Sequence, residues 1–301
     1  MVLNKKINLS KVCLGTAQFG SLRYSRYSKK KIKIKELRNI LIYSKKKKIK
    51  FLDTAIEYKG VSNNLALTNF DLSYFNIITK IPKPKKGEKK YSERILSLLD
   101  QDLRILKLKK YHTILLHNCK NLNKGQISQI AKINKILINN NYSKYFGVSI
   151  YEDKEYYNLK KFIDIDTIQL PFNIVDCSKQ KILFIKFLKK KNINLFARSI
   201  FLQGLLINDI PKILFQSKTI KKFHQKFDNF TIKNKISKID ACLNFVLNKK
   251  YFKSILIGVL SLDELKIISN VKKSLYFKYD DFNFNLSKKY IRPDLWNKKK
   301  I

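Results

Sequence analysis

The sequence predicts an α/β fold with a single domain over residues 1–301, a closed (β/α)8 barrel, also called a TIM barrel. Three observations predict it. Short apolar runs alternate along the chain with longer amphipathic stretches, which is typical of repeated βα units. There are eight such runs, the number of strands in this barrel. No G-x-G-x-x-G motif follows the first run, which disfavours an open dinucleotide-binding sheet.

Each predicted strand is a short apolar run, as expected for parallel strands that are buried on both faces. The strands are predicted at residues 12–16, 51–54, 76–80, 113–117, 145–149, 167–170, 194–198 and 254–257. Helices are predicted between them where apolar residues recur at three- and four-residue spacing. They are at residues 32–48, 92–106, 125–140, 179–191, 235–248 and 262–270.

Two segments interrupt this alternation. A long loop insertion is predicted at residues 201–237 after the seventh strand, with a helical piece at 219–227. An irregular C-terminal tail is predicted at residues 272–301. Long loops at the C-terminal face of a barrel usually contribute to the ligand site. We therefore expect the loop to line the site and the tail to cover the barrel or one edge of the site.

The chain is strongly basic, with 64 Lys and Arg against 22 Asp and Glu and a formal net charge of +42. Only seven of the 64 basic residues are arginines. Proteins that read nucleic acids favour arginine because its guanidinium is planar and binds in a bidentate way. We therefore interpret the excess charge as a solvated lysine surface and disfavour a nucleic-acid partner. A polyanion binder is kept as the third hypothesis for function.

Neither a metal site nor a membrane span is expected. The four cysteines are widely spaced and the chain has only three histidines, so no metal-ligand spacing is present. No apolar stretch approaches the roughly 18 to 20 residues that cross a bilayer. An apolar signal segment is also missing at the N-terminus. The sequence therefore predicts a soluble, cytoplasmic protein with reduced cysteines.

Four titratable residues stand at or just after the ends of three consecutive predicted strands. Asp53 ends the second strand, and Tyr58 follows it. Lys80 ends the third strand and His117 ends the fourth. Because the C-terminal ends of barrel strands meet on one face, these side chains are expected to lie together. The sequence therefore predicts a proton-handling site at this face.

These residue types can act together in proton transfer to a carbonyl oxygen. A phenol with a pKa near 10 is a weak acid at neutral pH, and the ammonium of Lys80 is expected to lower the pKa of Tyr58 by charge attraction. Asp53 would hold that ammonium, and His117 would orient the substrate oxygen or relay the proton. The alternative left open is an ion pair at the barrel rim, with Tyr58 and His117 in packing roles.

The motifs around these residues resemble those of the aldo-keto reductase superfamily. The second strand and its loop read Asp53-Thr54-Ala55-Ile56-Glu57-Tyr58, which matches the D-T-A-x-x-Y pattern of that family. The resemblance covers about residues 10–270. It implies a (β/α)8 barrel that uses a nicotinamide cofactor, NADPH or NADH, with NADPH the more usual. It continues through Ile78-Thr79-Lys80, Leu115-Leu116-His117-Asn118, Phe146-Gly147-Val148-Ser149 and the segments at residues 168–173, 197–206 and 257–265.

The resemblance also implies a role for each site residue. Tyr58 would be the proton donor in carbonyl reduction, and His117 would position the carbonyl. Lys80 and Asp53 would tune the donor. Ser261 would meet the adenosine-side phosphate near a helix N-terminus. The implied cofactor-binding residues are Gly15, Thr16, Asp53, Ser149, Gln169, Arg198, Ser199, Leu202, Gly204, Gly258, Ser261 and Lys266.

Three positions depart from the family pattern. Ile150 stands where an asparagine often follows the serine. Leu260 stands where a basic residue often precedes Ser261, and Lys266 lies one turn further on. Arg198 stands where an aromatic residue often stacks on the nicotinamide, and its planar guanidinium is expected to stack there instead.

Within the superfamily, residues 14–20, 147–151 and 198–204 look most like a bacterial group associated with surface-polysaccharide sugar metabolism. This likeness implies a sugar or sugar derivative as the small-molecule substrate, and an anionic one would suit the basic surface. The leading hypothesis is an NAD(P)H-dependent oxidoreductase that reduces an aldehyde or ketone, or catalyses the reverse reaction. The second hypothesis is a cofactor-binding barrel with a regulatory or partner-binding role and little catalysis.

Overall fold

The computed structural model describes residues 2–20, 31–208, 217–274 and 286–295. Eight parallel strands close into a barrel with helices around it, which confirms the predicted (β/α)8 fold. A short strand, β1 (Val2–Lys6), precedes the barrel. The barrel strands are β2 (Val12–Gly15), β3 (Phe51–Asp53), β4 (Asn76–Ile81), β5 (Tyr111–Leu116), β6 (Ser143–Ser149), β7 (Thr167–Pro171), β8 (Asn194–Arg198) and β9 (Ser254–Gly258).

The predicted strands coincide with β2 to β9 to within two residues at each end. The described helices include three that the sequence analysis missed, two of seven residues and one of four. Such helices are too short to show a periodic pattern in a window of about 11 to 18 residues. The helices are α1 (Ile34–Lys46), α2 (Val61–Leu67), α3 (Tyr91–Leu106), α4 (Lys124–Asn139), α5 (Asp153–Leu159), α6 (Lys179–Lys190), α7 (Lys218–Lys233), α8 (Lys238–Leu247), α9 (Leu262–Asn270) and α10 (Lys288–Ile291).

Helix α4 shows how the sequence determines these elements. Asn123 and Gln126 form a capping box, in which each side-chain oxygen accepts a hydrogen bond from the other residue's backbone N–H at 2.9 and 3.1 Å. The apolar residues that follow lie on one face of the helix, and Ile130, Ile133 and Leu137 are fully buried. Capping fixes the start of the helix, and burial of this face stabilises it against the barrel.

The inside of the barrel has an apolar layer directly below the predicted site. This layer forms a cluster separate from the larger core between the barrel and the helices. The buried layer consists of Cys13, Phe51, Ile78, Leu115 and Phe196. Because side chains two residues apart on a strand point to the same side, the residue two positions after each member of this layer also faces inward. These residues are Gly15, Asp53, Lys80, His117 and Arg198.

The tail at residues 272–301 was predicted to be irregular, and this is wrong for residues 272–274 and 288–291. A tenth strand, β10 (Lys272–Ser274), pairs antiparallel with β1 outside the barrel. The pairing joins the segment before the barrel to the segment after α9, and the backbone N–H of Ile7 donates to the carbonyl of Val271 at 2.9 Å. No local apolar run marks so short a strand, so only the tertiary contact reveals it.

The predicted loop insertion contains a helix longer than expected. A 3-10 turn at Leu202–Gly204 follows β8, and α7 then runs over Lys218–Lys233 rather than residues 219–227. Residues 209–216 of this loop lie outside the described residues. The C-terminal segment packs against α7, where the fully buried Tyr290 of α10 shares a hydrogen bond with the buried His224.

The His224–Tyr290 contact predicts a pH dependence of stability. Burial lowers the pKa of His224 to about 4, whereas an unfolded histidine has a pKa near 6.5. Between these two pH values His224 is protonated in the unfolded chain but neutral in the folded protein. Its contribution to the free energy of unfolding is therefore full above about pH 6.5 and is lost as the pH falls toward 4. In His224→Gln this part of the pH dependence should be missing.

Chemical denaturation at pH 7 and pH 5 measures this effect. We expect the wild type to lose about 2 kcal/mol more of its free energy of unfolding than His224→Gln between these two values. Other titrating groups, including His112, are present in both proteins and cancel in the comparison. An equal loss in both proteins would show that His224 is not held in its neutral form.

Candidate active site

A buried charge pair forms the floor of the site at the ends of β3 and β4. Lys80 Nζ lies 2.5 Å from Asp53 Oδ1 and also donates a hydrogen bond to the backbone carbonyl of Thr54 at 2.9 Å. From β7, across the barrel, Gln169 Nε2 donates to the other carboxylate oxygen of Asp53 at 2.7 Å. Both charged side chains are almost completely buried. The hydrogen bonds around the pair therefore compensate much of the cost of removing these charges from water.

Tyr58 lies above this pair, on the loop between β3 and α2. The Lys80 ammonium is 5.4 Å from the centre of the Tyr58 ring. His117, one residue beyond β5, packs edge-on against the same ring, with 5.9 Å between ring centres and an interplanar angle of 78°. The structure thus brings together Asp53, Tyr58, Lys80 and His117 at the C-terminal face of the barrel.

The environment of Tyr58 keeps its phenol protonated. Burial raises the pKa of Tyr58 well above its usual value, and the Asp53 carboxylate raises it further, while Arg198 opposes the shift. The pKa of Tyr58 is therefore raised overall and not lowered as the sequence predicted, because burial and the Asp53 carboxylate dominate the shift.

His117 has a partner that the sequence analysis missed. Its Nδ1 shares a hydrogen bond with Glu57 Oε2 at 3.0 Å. This hydrogen bond to His117 lowers the pKa of the Glu57 carboxyl. Both side chains are partly exposed, so the pair lies at the edge of the site rather than in the core. The position of Glu57 directly before Tyr58 was its only signal in the sequence.

Two cavities meet at Tyr58. The first has a volume of about 820 Å³ and extends between α1, α9 and the loop after β8. The second has a volume of about 860 Å³ and lies over β4, β5 and the loops that follow them. Tyr58, Gln169 and Arg198 line both cavities. A molecule in one cavity can therefore approach a molecule in the other next to the Tyr58 ring.

Most residues implied as cofactor contacts line the first cavity. Ser149 lines the second cavity, close to the junction. The residues that line the first cavity are Gly15, Asp53, Gln169, Arg198, Ser199, Gly204, Gly258 and Ser261.

The other three implied contacts do not line either cavity. Thr16 is fully buried, and its hydroxyl donates to the backbone carbonyl of Asp53 at 3.0 Å. Leu202 is also fully buried. The Lys266 ammonium pairs with Asp263 at 3.0 Å. These residues have structural contacts of their own, which a motif in the sequence cannot distinguish from ligand contacts.

The backbone beside the first cavity has a feature that is typical of ligand sites. In the loop after β8, Ser199, Leu202 and Gln203 have left-handed backbone angles, with φ of 59°, 48° and 55°. Such angles cost non-glycine residues about 1 kcal/mol or more and cluster at ligand sites.

Arg198 connects the junction of the cavities with the C-terminal segment. Its guanidinium lies 4.0 Å from the ring centre of Tyr151, and the guanidinium of Arg292 lies 4.1 Å from the same ring centre. Arg292 is buried and pairs with Glu152 at 3.1 Å. The Tyr151 ring thus lies against the Arg198 guanidinium, and stacking of this guanidinium on a nicotinamide stays a prediction.

The described residues contain no group of three or more His, Cys, Asp or Glu side chains that could hold a metal ion. Among the same residues, no helix has the length and apolar character needed to cross a membrane.

The fold and the position of the cavities place this chain among the (β/α)8-barrel proteins with a site at the C-terminal ends of the strands. Residues 11–287 match the model of the Aldo/keto reductase family, so the chain belongs to that family. Membership indicates an oxidoreductase that acts on carbonyl compounds, and NAD(P)H is the general cofactor of the family.

Solved structures of bacterial proteins share the fold. The glycerol dehydrogenase from Gluconobacter oxydans is 18% identical over 94% of each chain, with a TM-score of 0.69. An aldo-keto reductase from Bacillus halodurans is 14% identical, over 92% of this chain and 93% of that chain, with a TM-score of 0.71. No curated protein matches the chain in a sequence search.

Proposed function

We propose that this chain is an NAD(P)H-dependent reductase that converts an aldehyde or ketone to an alcohol, or catalyses the reverse reaction, with Tyr58 as the proton donor. The observation that carries the proposal is the position of the Tyr58 ring. It lies where the two cavities meet, above the buried pair of Lys80 and Asp53.

In this proposal each site residue has one task. When bound, the nicotinamide supplies the hydride to the carbonyl carbon. Tyr58 donates its proton to the carbonyl oxygen as negative charge develops there. The Lys80 ammonium stabilises the phenolate left behind, and Asp53 keeps that ammonium in place. His117, oriented by Glu57, holds the carbonyl oxygen toward Tyr58.

The residues of the first cavity fit a dinucleotide. Gly15, Gln169 and Ser199 would hold its nicotinamide half, and Gly204 would approach its pyrophosphate. One observation supports the fit: the buried Nε of Arg198, a residue that lines this cavity, has no hydrogen-bond partner among the described residues. An unpaired buried donor beside the cavity is suited to an acceptor on a ligand.

We further propose that the substrate is a sugar or sugar derivative with an anionic group. Lys83 and Lys85 line the second cavity, and neither has an ion pair among the described residues. The Lys83 ammonium instead donates to the backbone carbonyl of Lys120 at 2.7 Å. Arg94 also lines this cavity, but Glu88 binds it at 2.5 and 3.0 Å and offsets its charge. The two lysines are therefore the better candidates for binding a carboxylate or phosphate.

An assay with paired substrates tests both statements. The purified chain is given NADH or NADPH with sugar aldehydes and ketones, each in a neutral form and in a phosphorylated or carboxylated form. We expect turnover, with a lower KM for the anionic member of a pair. Lys83→Met with Lys85→Met should raise that KM by about 10-fold, the effect of about 1.4 kcal/mol, while the KM of the neutral member stays unchanged.

Lys135→Met, which removes an exposed lysine of α4 outside both cavities, is the matched control and should change neither KM. If Lys83→Met with Lys85→Met changed KM equally for the charged and neutral substrates, the proposal of an anionic substrate would be contradicted. Tight dinucleotide binding without turnover of any substrate in the panel would contradict the proposed reductase activity. It would favour the second hypothesis, a cofactor-binding barrel with a regulatory or partner-binding role.

A further inference from the structure

We propose that this chain binds NADH in preference to NADPH, because Glu36 and Glu264 occupy the place that the 2′-phosphate of NADPH needs. The inference rests on the proposed function, since it concerns which dinucleotide the first cavity accepts.

The two ends of the first cavity determine how a dinucleotide lies in it. One end, at Tyr58 and Arg198, opens to the second cavity, where the nicotinamide must meet the carbonyl. The other end lies between the starts of α1 and α9, which contact each other, and is lined by Glu36, Ser261 and Glu264. The adenosine half of the dinucleotide therefore belongs between α1 and α9.

Carboxylates already use the backbone donors at the adenosine end. Glu36 Oε1 accepts a hydrogen bond from the backbone N–H of Leu262 at 2.6 Å. Glu264 Oε2 accepts one from the backbone N–H of Leu260 at 2.7 Å. The Ser261 hydroxyl accepts from the backbone N–H of Glu264 at 3.2 Å and so caps α9. A phosphate at this helix N-terminus would need the same kind of donors, so it would have to displace the carboxylates.

The two dinucleotides differ in how they interact with these carboxylates. A phosphate monoester carries between one and two negative charges at neutral pH, and Glu36 and Glu264 would repel it. The 2′-hydroxyl of NADH is uncharged and can donate a hydrogen bond to either carboxylate. The same two side chains therefore disfavour NADPH and favour NADH.

Among the described residues, the cations near this end do not reverse the preference. Lys31 and Lys33 line the cavity but are exposed, so water and salt screen their charges and ordering their long side chains costs entropy. Lys266 is held by Asp263 and does not line the cavity. Leu260, directly before Ser261, is apolar and supplies no charge. No fixed cation of the described residues therefore replaces the one that a 2′-phosphate requires.

Calorimetric titration with NADH and with NADPH tests the inference. The measurement is made at about 0.15 M salt, where screening over about 8 Å limits the effect of the overall charge. We expect NADH to bind at least about 10-fold more tightly than NADPH. In the double variant, Glu36→Gln with Glu264→Gln, the backbone N–H groups of Leu262 and Leu260 keep an amide oxygen as acceptor. The two negative charges, however, are removed. NADPH should then bind about 10-fold more tightly, and NADH should change by less than about 3-fold.

Asp263→Asn is the matched control. Asp263 lies in the same first turn of α9, but its side chain is 83% exposed and does not line the cavity. Its substitution should leave the ratio of the two dissociation constants unchanged. Equal or tighter binding of NADPH by the wild type would overturn the inference, and so would an equally large effect of Asp263→Asn. If the titration shows no binding of either dinucleotide, and neither one raises the melting temperature, the proposed function is contradicted as well.

Discussion

Tyr58→Phe is expected to abolish carbonyl reduction while dinucleotide binding stays nearly intact. The substitution removes only the hydroxyl, so the ring keeps its edge-on contact with His117. Positioned acids contribute about 10²- to 10⁴-fold to rates, and we expect kcat to fall by about that factor. The binding of NADH or NADPH should change by less than about 2-fold, because the loss concerns proton transfer rather than the walls of the cavity.

A second measurement separates the role of the phenol from its packing. Because burial and Asp53 raise the pKa of Tyr58, the phenol should remain protonated at least up to pH 9, and kcat for reduction should show no loss from its ionisation below that value. Tyr74→Phe is the matched control, since it removes a hydroxyl that donates to the carbonyl of Lys45 at 3.3 Å, outside both cavities. Normal turnover in Tyr58→Phe would rule out Tyr58 as the proton donor.

The sequence alone was enough to predict the barrel and the set of four residues, for one physical reason. A buried parallel strand is a short apolar run, and the charged or titratable residues that face the site stand at or just after the ends of their strands. Asp53, Lys80 and His117 each stand two residues after an apolar residue of the buried layer. The same pattern that marks the strand therefore also marks the site above it.

What could not be predicted depends on contacts between distant parts of the chain. Glu57 contacts His117, which is 60 residues away in sequence. Glu36 bonds to the backbone of Leu262, 226 residues away. The direction of the pKa shift of Tyr58 also could not be predicted, because it depends on burial and on the Asp53 carboxylate. Motifs identify such residues by type, but only the fold shows which partner each one has.

The buried pair of Asp53 and Lys80 should dominate the response of stability to substitution in this site. Asp53→Asn leaves the Lys80 ammonium buried without its carboxylate, and Lys80→Met leaves the Asp53 carboxylate buried without its ammonium, although the amide of Gln169 still donates to it. Removing one partner of a buried pair costs about 3 to 5 kcal/mol. Each single substitution should therefore lower the free energy of unfolding by about that amount.

The double variant, Asp53→Asn with Lys80→Met, measures the coupling between the two charges. With both charges removed, no uncompensated ion remains in the barrel, so the loss should be smaller than the sum of the two single losses by about 2 to 3 kcal/mol. Denaturant unfolding measures all three free energies, provided that the dependence on denaturant is the same for each variant.

The exposed pair of Lys266 and Asp263 provides the control, because its side chains are 48% and 83% exposed. Lys266→Met and Asp263→Asn should each change the free energy of unfolding by no more than about 0.5 kcal/mol, with a coupling below about 1 kcal/mol. Equally small and additive effects at Asp53 and Lys80 would mean that water reaches the pair. The ammonium would then be too well screened to stabilise a phenolate at Tyr58, so the stability cycle also tests the proposed mechanism.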